Sequence, residues 1–256
     1  IYRPAIVVIL LACSGTAYAA QPFVDHSNLD ETAMTFAELD YAEGVVCTAR
    51  SAQVFPDVQA GSLSGQASYW FANTSGKEQV VAFGVTPGYE ISHVQANGED
   101  APFTLSDYQE YNEAKLEVTI PAEKSVEVTL DYAGFPQENR MMSTMQGSME
   151  ITGEYLCLEN AALSPRLMNV LPAGALYPTT IEITLPAQMT VIPFGDSEAN
   201  AVAHHEDGTT TWRYETGSTG GILYAGDYIR ENIAAGDQTI AFYYGRKHQE
   251  VMEDAE

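Results

Sequence analysis

The sequence is dominated by short runs in which apolar and polar residues alternate, separated by turn-forming residues at roughly ten-residue intervals. In residues 116–120, for example, Leu116, Val118 and Ile120 alternate with polar neighbours. A period of two places successive side chains on opposite faces of a β-strand. The pattern therefore predicts an all-β chain, folded as a β-sandwich or as curved antiparallel sheets.

Three turn signals predict hairpins. Asn97-Gly98 and Asp207-Gly208 both follow strand-like runs, and both dipeptides favour the tight turns that join antiparallel strands. A third hairpin is expected around residues 234–237, between the runs at 222–228 and 239–244.

The pattern divides the chain into four parts. Residues 1–20 read as a leader, residues 21–44 as an irregular segment, residues 45–246 as the β domain, and residues 247–256 as the start of a linker to a further domain. Within the β domain, residues 161–177 contain Pro165 and Pro172 and no alternation. This stretch is expected to be a long Pro-rich crossover.

The leader has the features of an export signal. Arg3 precedes a short apolar run at residues 5–12, and Ala17-Tyr18-Ala19 offers a cleavage site. Two alternatives remain: a lipoprotein leader acylated on Cys13, or the end of a membrane helix that begins upstream. Each of the three predicts export to the periplasm or the cell exterior, with membrane contact only through a retained N-terminal segment.

The charge balance restricts the partners. The chain has 35 acidic residues against 11 Lys plus Arg, a formal net charge of −24. The electrostatic field of this negative charge repels phosphate backbones, so no nucleic-acid partner is expected.

No complete catalytic motif is present. The sequence contains neither His-Glu-x-x-His nor Gly-x-Ser-x-Gly, and His204-His205-Glu206 is interpreted as an exposed hairpin run and not as a metal site. We therefore predict no catalytic residue and no metal ligand in this chain. Cys47 and Cys157 either pair as a disulfide or remain as two buried thiols.

The order of the strand motifs resembles the N-terminal domain of the aminopeptidase N-like gluzincins, an all-β, saddle-like module that precedes a zinc-peptidase domain. The resemblance covers roughly residues 45–245, in the order and spacing of short motifs. They are Gly65, Ile91 to Gly98, Leu116 to Val118, Ser125 to Gly134, Tyr177 to Pro186, Thr211 to Tyr214 and Tyr224 to Tyr228.

The resemblance implies a role without catalysis. In this family the zinc ligands lie in the following domain, so zinc is implied there and no cofactor here. A Gln or Glu of the N-terminal domain helps to bind the free amine of the substrate, which points to Glu159, while Cys157 stands where the family has Gln. The family's Pro-Cys-x-Asp-Glu-Pro segment does not occur, which is typical of a divergent bacterial branch that includes transporter-linked proteins.

Two hypotheses follow from the sequence. In the first, the chain is an inactive N-terminal domain that forms one wall of a peptide cleft and packs on a downstream catalytic domain, in a parent that is a zinc metallo-aminopeptidase. In the second, it is a stand-alone extracytoplasmic binding or adaptor domain, or the ectodomain of a transporter-linked membrane protein.

Overall fold

The computed structural model describes residues 40–108, 113–122, 125–137, 149–170, 178–193, 198–216, 222–235, 238–246 and 249. The predictions for the leader, for Cys13, for residues 21–39 and for nearly all of the tail lie outside the described residues. Within the described part, no helix is long and apolar enough to cross a membrane.

Strands account for nearly all of the regular structure, which confirms the all-β prediction. The one helix in the described residues, α1, is a single turn at Asn160–Leu163. The strands are β1 Val45–Asp57, β2 Ser62–Asn73, β3 Gln79–Val85, β4 Tyr89–Ala96, β5 Glu99–Asp100, β6 Phe103–Tyr108, β7 Glu113–Ile120, β8 Ser125–Gly134, β9 Met149–Ile151, β10 Tyr155–Glu159, β11 Arg166–Leu167, β12 Thr179–Pro186, β13 Thr190–Ile192, β14 Asn200–His204, β15 Thr209–Thr216, β16 Ile222–Gly226, β17 Tyr228–Ala235 and β18 Gln238–Gly245.

The strands form one large sheet and three smaller ones. The eight-stranded sheet has the order β14-β15-β12-β1-β2-β8-β4-β5, and two four-stranded sheets have the orders β13-β16-β10-β9 and β11-β3-β7-β6. β1 and β12 pair in parallel, whereas the other strand pairs of the large sheet and of the four-stranded sheets are antiparallel in the described residues. A parallel pair needs a long connection, and here the chain between β1 and β12 includes the whole of the sheet β11-β3-β7-β6 together with β9 and β10 of the other four-stranded sheet.

From Ile229 onward, the hairpin β17–β18 belongs to a different compact unit from the other strands. Within this hairpin the Arg230 guanidinium lies 5.9 Å from the centre of the Tyr243 ring, and the Tyr244 hydroxyl donates to Glu231 at 2.5 Å.

Two of the three predicted hairpins are confirmed. Asn97 and Gly98 have φ of 52° and 80°, as a tight turn between twisted strands requires, and Gly208 has φ of 81° between β14 and β15. The third hairpin exists as β17–β18, but its first strand is β17 and not the predicted run at 222–228. β16 pairs with β10 and β13, and it is β17 that pairs with β18. Alternation along residues 222–228 predicts a strand, but the partners of β16 are segments distant from it in the chain.

The core draws residues from the large sheet and from both four-stranded sheets, and one glycine permits a close approach within it. A Cβ on Gly65 in β2 would lie 2.4 Å from the Tyr132 hydroxyl of β8 and 2.9 Å from the Gln53 carbonyl oxygen. Only glycine therefore lets the Tyr132 ring cross β2. The crossover predicted at residues 161–177 includes most of α1 and β11, and residues 171–177 lie outside the described part.

Candidate functional site

A turn held by three tyrosines fixes the end of β10. Residues 160–165, here called the tyrosine-anchored turn, offer three backbone carbonyls to the large sheet. Tyr89 donates to Ala162 O at 2.7 Å, Tyr132 donates to Leu163 O at 2.5 Å, and the Tyr69 hydroxyl donates to Pro165 O. These buried bonds satisfy carbonyls that a one-turn helix leaves open. The turn therefore has a fixed position beneath the sheet.

The tyrosines are suited to act as donors at any physiological pH. Burial raises the pKa of Tyr89 and of Tyr132 well above the usual value for a phenol. Their rings also contact one another, with centroids 5.3 Å apart. Because both stay protonated, neither hydroxyl can lose the proton that it donates to the turn.

One face of β10 carries polar side chains. Alternation along the strand puts Tyr155, Cys157 and Glu159 on one side, and register places Glu150 of β9 and Tyr224 of β16 opposite Cys157. These five residues are here called the polar face of β10. Leu156 and Leu158 point the other way, into the core. The Tyr155 hydroxyl donates to Glu150 at 2.5 Å, so the exposed end of the face is already ordered.

Glu159 is the last residue of β10 and is only 4% exposed. It occupies the N-cap position of α1, yet its side chain makes no capping bond to that helix. Its carboxylate is thus not used for the commonest local role of an acidic residue at this position. A carboxylate at a strand end is expected to make a surface hydrogen bond, but the burial of Glu159 is inconsistent with a surface position.

The two cysteines lie in different sheets as thiols, not as the disulfide that was one of the two expectations. Cys47 is on β1, and burial raises the pKa of its thiol to about 12, although the Ala49 carbonyl and Arg50 oppose the shift. Cys157 is on β10 and shares a hydrogen bond with Tyr224, whose pKa is raised by burial first and by this thiol second. Burial, with Cys157 as a lesser cause, also raises the pKa of Tyr228.

The donor set does not fit a resident metal. No group of three or more His, Cys, Asp or Glu side chains that could hold an ion occurs among the described residues. His204 and His205 instead contact the hydroxyls of Thr210 and Thr211, at 3.0 and 2.8 Å. The polar face of β10 offers carboxylates and phenols, which suit an ammonium group, and we assign it no step that runs through zinc.

Sequence analysis located Glu159 but missed its surroundings. Along Tyr155 to Glu159, polar residues and Cys157 alternate with Leu156 and Leu158, and this alternation predicts a polar and an apolar face. The convergence of Tyr69, Tyr89 and Tyr132 had no local signal, because these residues belong to three separate strands.

No protein-family model matches the sequence, and no curated protein matches it. Solved structures with the same fold exist. An M1 zinc metallopeptidase from Deinococcus radiodurans, bound to a Tyr-Ser-Ala substrate, has a TM-score of 0.56 at 15% identity, over 80% of this chain and 48% of that one. Leukotriene A4 hydrolase from Saccharomyces cerevisiae has a TM-score of 0.53 at 13% identity, over 84% of this chain and 35% of the hydrolase.

This chain spans about half the length of the Deinococcus enzyme and about a third of the yeast hydrolase. At these identities the likeness concerns the fold. The fold of this chain is that of the N-terminal β domain of M1 zinc metallopeptidases.

Proposed function

We propose that this chain is the non-catalytic N-terminal domain of an exported, aminopeptidase-like zinc metallopeptidase. It forms one wall of a peptide-binding cleft and packs on a catalytic domain that its 256 residues do not contain. The polar face of β10 lines that cleft, and Glu159 receives the free amine of the peptide. Zinc and its chemistry belong to the catalytic domain.

The observation that carries the proposal is the position of Glu159. It is a carboxylate that is almost fully buried, that ends a strand, and that a turn with three tyrosine hydrogen bonds keeps in place. A fixed carboxylate beside phenols attracts an ammonium group strongly, because little of its attraction is screened by water. The fold match adds that such a domain accompanies a peptidase in the Deinococcus enzyme.

The test is to determine the gene sequence downstream of the codon for Glu256. We expect the reading frame to continue into a strand with a Gly-x-Met-Glu-Asn-like motif and a helix with His-Glu-x-x-His, the motif that holds zinc beside a general base. A stop codon shortly after Glu256 would contradict the proposal. It would favour the stand-alone binding domain.

The purified chain provides a second test. Incubated with peptides and zinc, it should show no turnover, because the described residues offer no metal site. Zinc-dependent hydrolysis by this chain alone would show a site assembled from scattered residues and would refute a non-catalytic role.

A further inference from the structure

Arg50 is a cation inside the core of the large sheet. It lies in the middle of β1, opposite Tyr69 of β2 and Thr179 of β12, and its side chain shares the inward face with Ala52 and Val54. Only 5% of Arg50 is exposed. In a chain with 11 basic residues and a net charge of −24, a buried arginine is a costly position.

The Arg50 guanidinium has no counter-ion in the part of the chain that the structure describes. Its Nε is buried without a hydrogen-bond partner, and none of the ion pairs among these residues involves it. An arginine side chain is not deprotonated in proteins, so loss of a proton cannot remove the desolvation cost of burying the charge. An unpaired charge in such a place is among the least favourable arrangements in a folded protein.

A second buried hydrogen-bond donor without a partner lies on the same face of the large sheet as Arg50 Nε. Tyr214 of β15 is 4% exposed, and its hydroxyl has no hydrogen-bond partner. β15 is separated from β1 only by β12, and Tyr214 is opposite Ile181, which is itself opposite Ala52. Burial raises the pKa of Tyr214, and the positive charge of Arg50 opposes that rise.

The other tyrosines beside Arg50 are already engaged. Tyr69 and Tyr132 donate their hydroxyl protons to carbonyls of the tyrosine-anchored turn. Burial raises the pKa of the Cys47 thiol and of the Tyr132 and Tyr214 phenols, on all of which the charge of Arg50 acts, so these three groups stay protonated and supply no negative charge.

We propose that Arg50 and Tyr214 form an internal binding site for a small monovalent anion of the chloride class. The site has donors and a positive charge, so it selects an anion. Its near-complete burial excludes large or multiply charged ions such as nucleotides. The bound anion neutralises the core and thereby stabilises the folded chain.

Thermal unfolding tests this site. The chain is heated in sodium chloride and in sodium gluconate at equal ionic strength, since gluconate is too large to enter. We expect Tm to rise with chloride concentration and then to level off only slowly, because an ion that binds only the folded state stabilises it increasingly as its concentration exceeds the dissociation constant.

Tyr214→Phe should weaken the apparent chloride affinity about tenfold, the effect of one hydrogen bond to a charge. Arg50→Met should abolish the chloride effect.

Arg213→Met is the matched control. Arg213 lies on β15 as well, but its guanidinium is exposed and bonds Glu215 at 3.2 Å. This variant should keep the full chloride dependence. If Arg50→Met does not fold, crystals grown in bromide give an independent result, an anomalous peak beside Arg50 Nε. Equal Tm in chloride and gluconate, or bromide crystals without that peak, would overturn the proposal.

Discussion

The two faces of β10 differ in what their burial accomplishes. Leu156 and Leu158 are completely buried in the core, whereas Cys157 and Glu159, at 5% and 4% exposure, are equally hidden but lie outside the core cluster. The apolar face stabilises the fold. The polar face bears the Glu159 carboxylate, and the desolvation of a charged group opposes folding. Exposure alone would therefore not distinguish a structural residue from a functional one on this strand.

The largest expected effect is on the apolar face. Leu158→Ala should lower the free energy of unfolding by about 2–5 kcal/mol, the range for a fully buried leucine that leaves a cavity. Its neighbour provides the matched control: Cys157→Ala should cost only about 1 kcal/mol, because it removes one sulfur atom from outside the core. Urea unfolding measures both, and equal losses would remove the distinction between the two faces.

A smaller effect is expected at the turn that holds the polar face in place. Tyr132→Phe leaves the buried Leu163 carbonyl without its donor and should cost about 1–3 kcal/mol. Tyr41→Phe, at a residue that is 67% exposed, should change stability by less than about 0.5 kcal/mol. If Tyr132→Phe were as neutral as Tyr41→Phe, the tyrosine hydrogen bonds would not be what fixes Glu159.

The sequence predicted those parts of the fold that depend on local chemistry. The turns at Asn97-Gly98 and Asp207-Gly208 follow from residues that adopt positive φ, and alternation located most strands. Sheet order could not be predicted, because the parallel pairing of β1 with β12 joins segments more than 100 residues apart. For the same reason the burial of Arg50 could not be predicted: only the assembled sheet puts Arg50 and Tyr214 on the same buried face, with β12 between their strands.

The smallest effect on stability is expected for an exposed ion pair, whose charges are in contact with solvent, unlike the buried carboxylate of Glu159. His93 on β4 contacts Asp100 at 2.8 Å and Asp131 at 3.5 Å, and its ring is 43% exposed. The hydrogen bond to Asp100, followed by the charges of both carboxylates, raises the pKa of His93 above 6.5. Since the folded-state pKa is the higher one, the pair stabilises fully below about pH 6.5 and loses its effect as pH rises through the raised pKa.

Asp100→Asn tests that ion pair. NMR titration should show the pKa of His93 falling towards 6.5 in the variant, and the stability difference from wild type should be present near pH 6 and vanish at alkaline pH. A difference that persists unchanged at alkaline pH would mean that the Asp100 contact acts by some means other than the charge of His93.

Amine recognition by Glu159 is tested most directly in the full-length parent, with kinetics on a peptide that has a free N-terminus. Glu159→Gln keeps the shape and removes the charge, so kcat/KM should fall by about 10- to 100-fold, the loss expected for a hydrogen bond to a charged group. Glu154→Gln, at an exposed glutamate five residues earlier in the chain, should leave kcat/KM unchanged, as should either variant on the N-acetylated peptide. Equal activity of Glu159→Gln and Glu154→Gln on the free peptide would contradict the account.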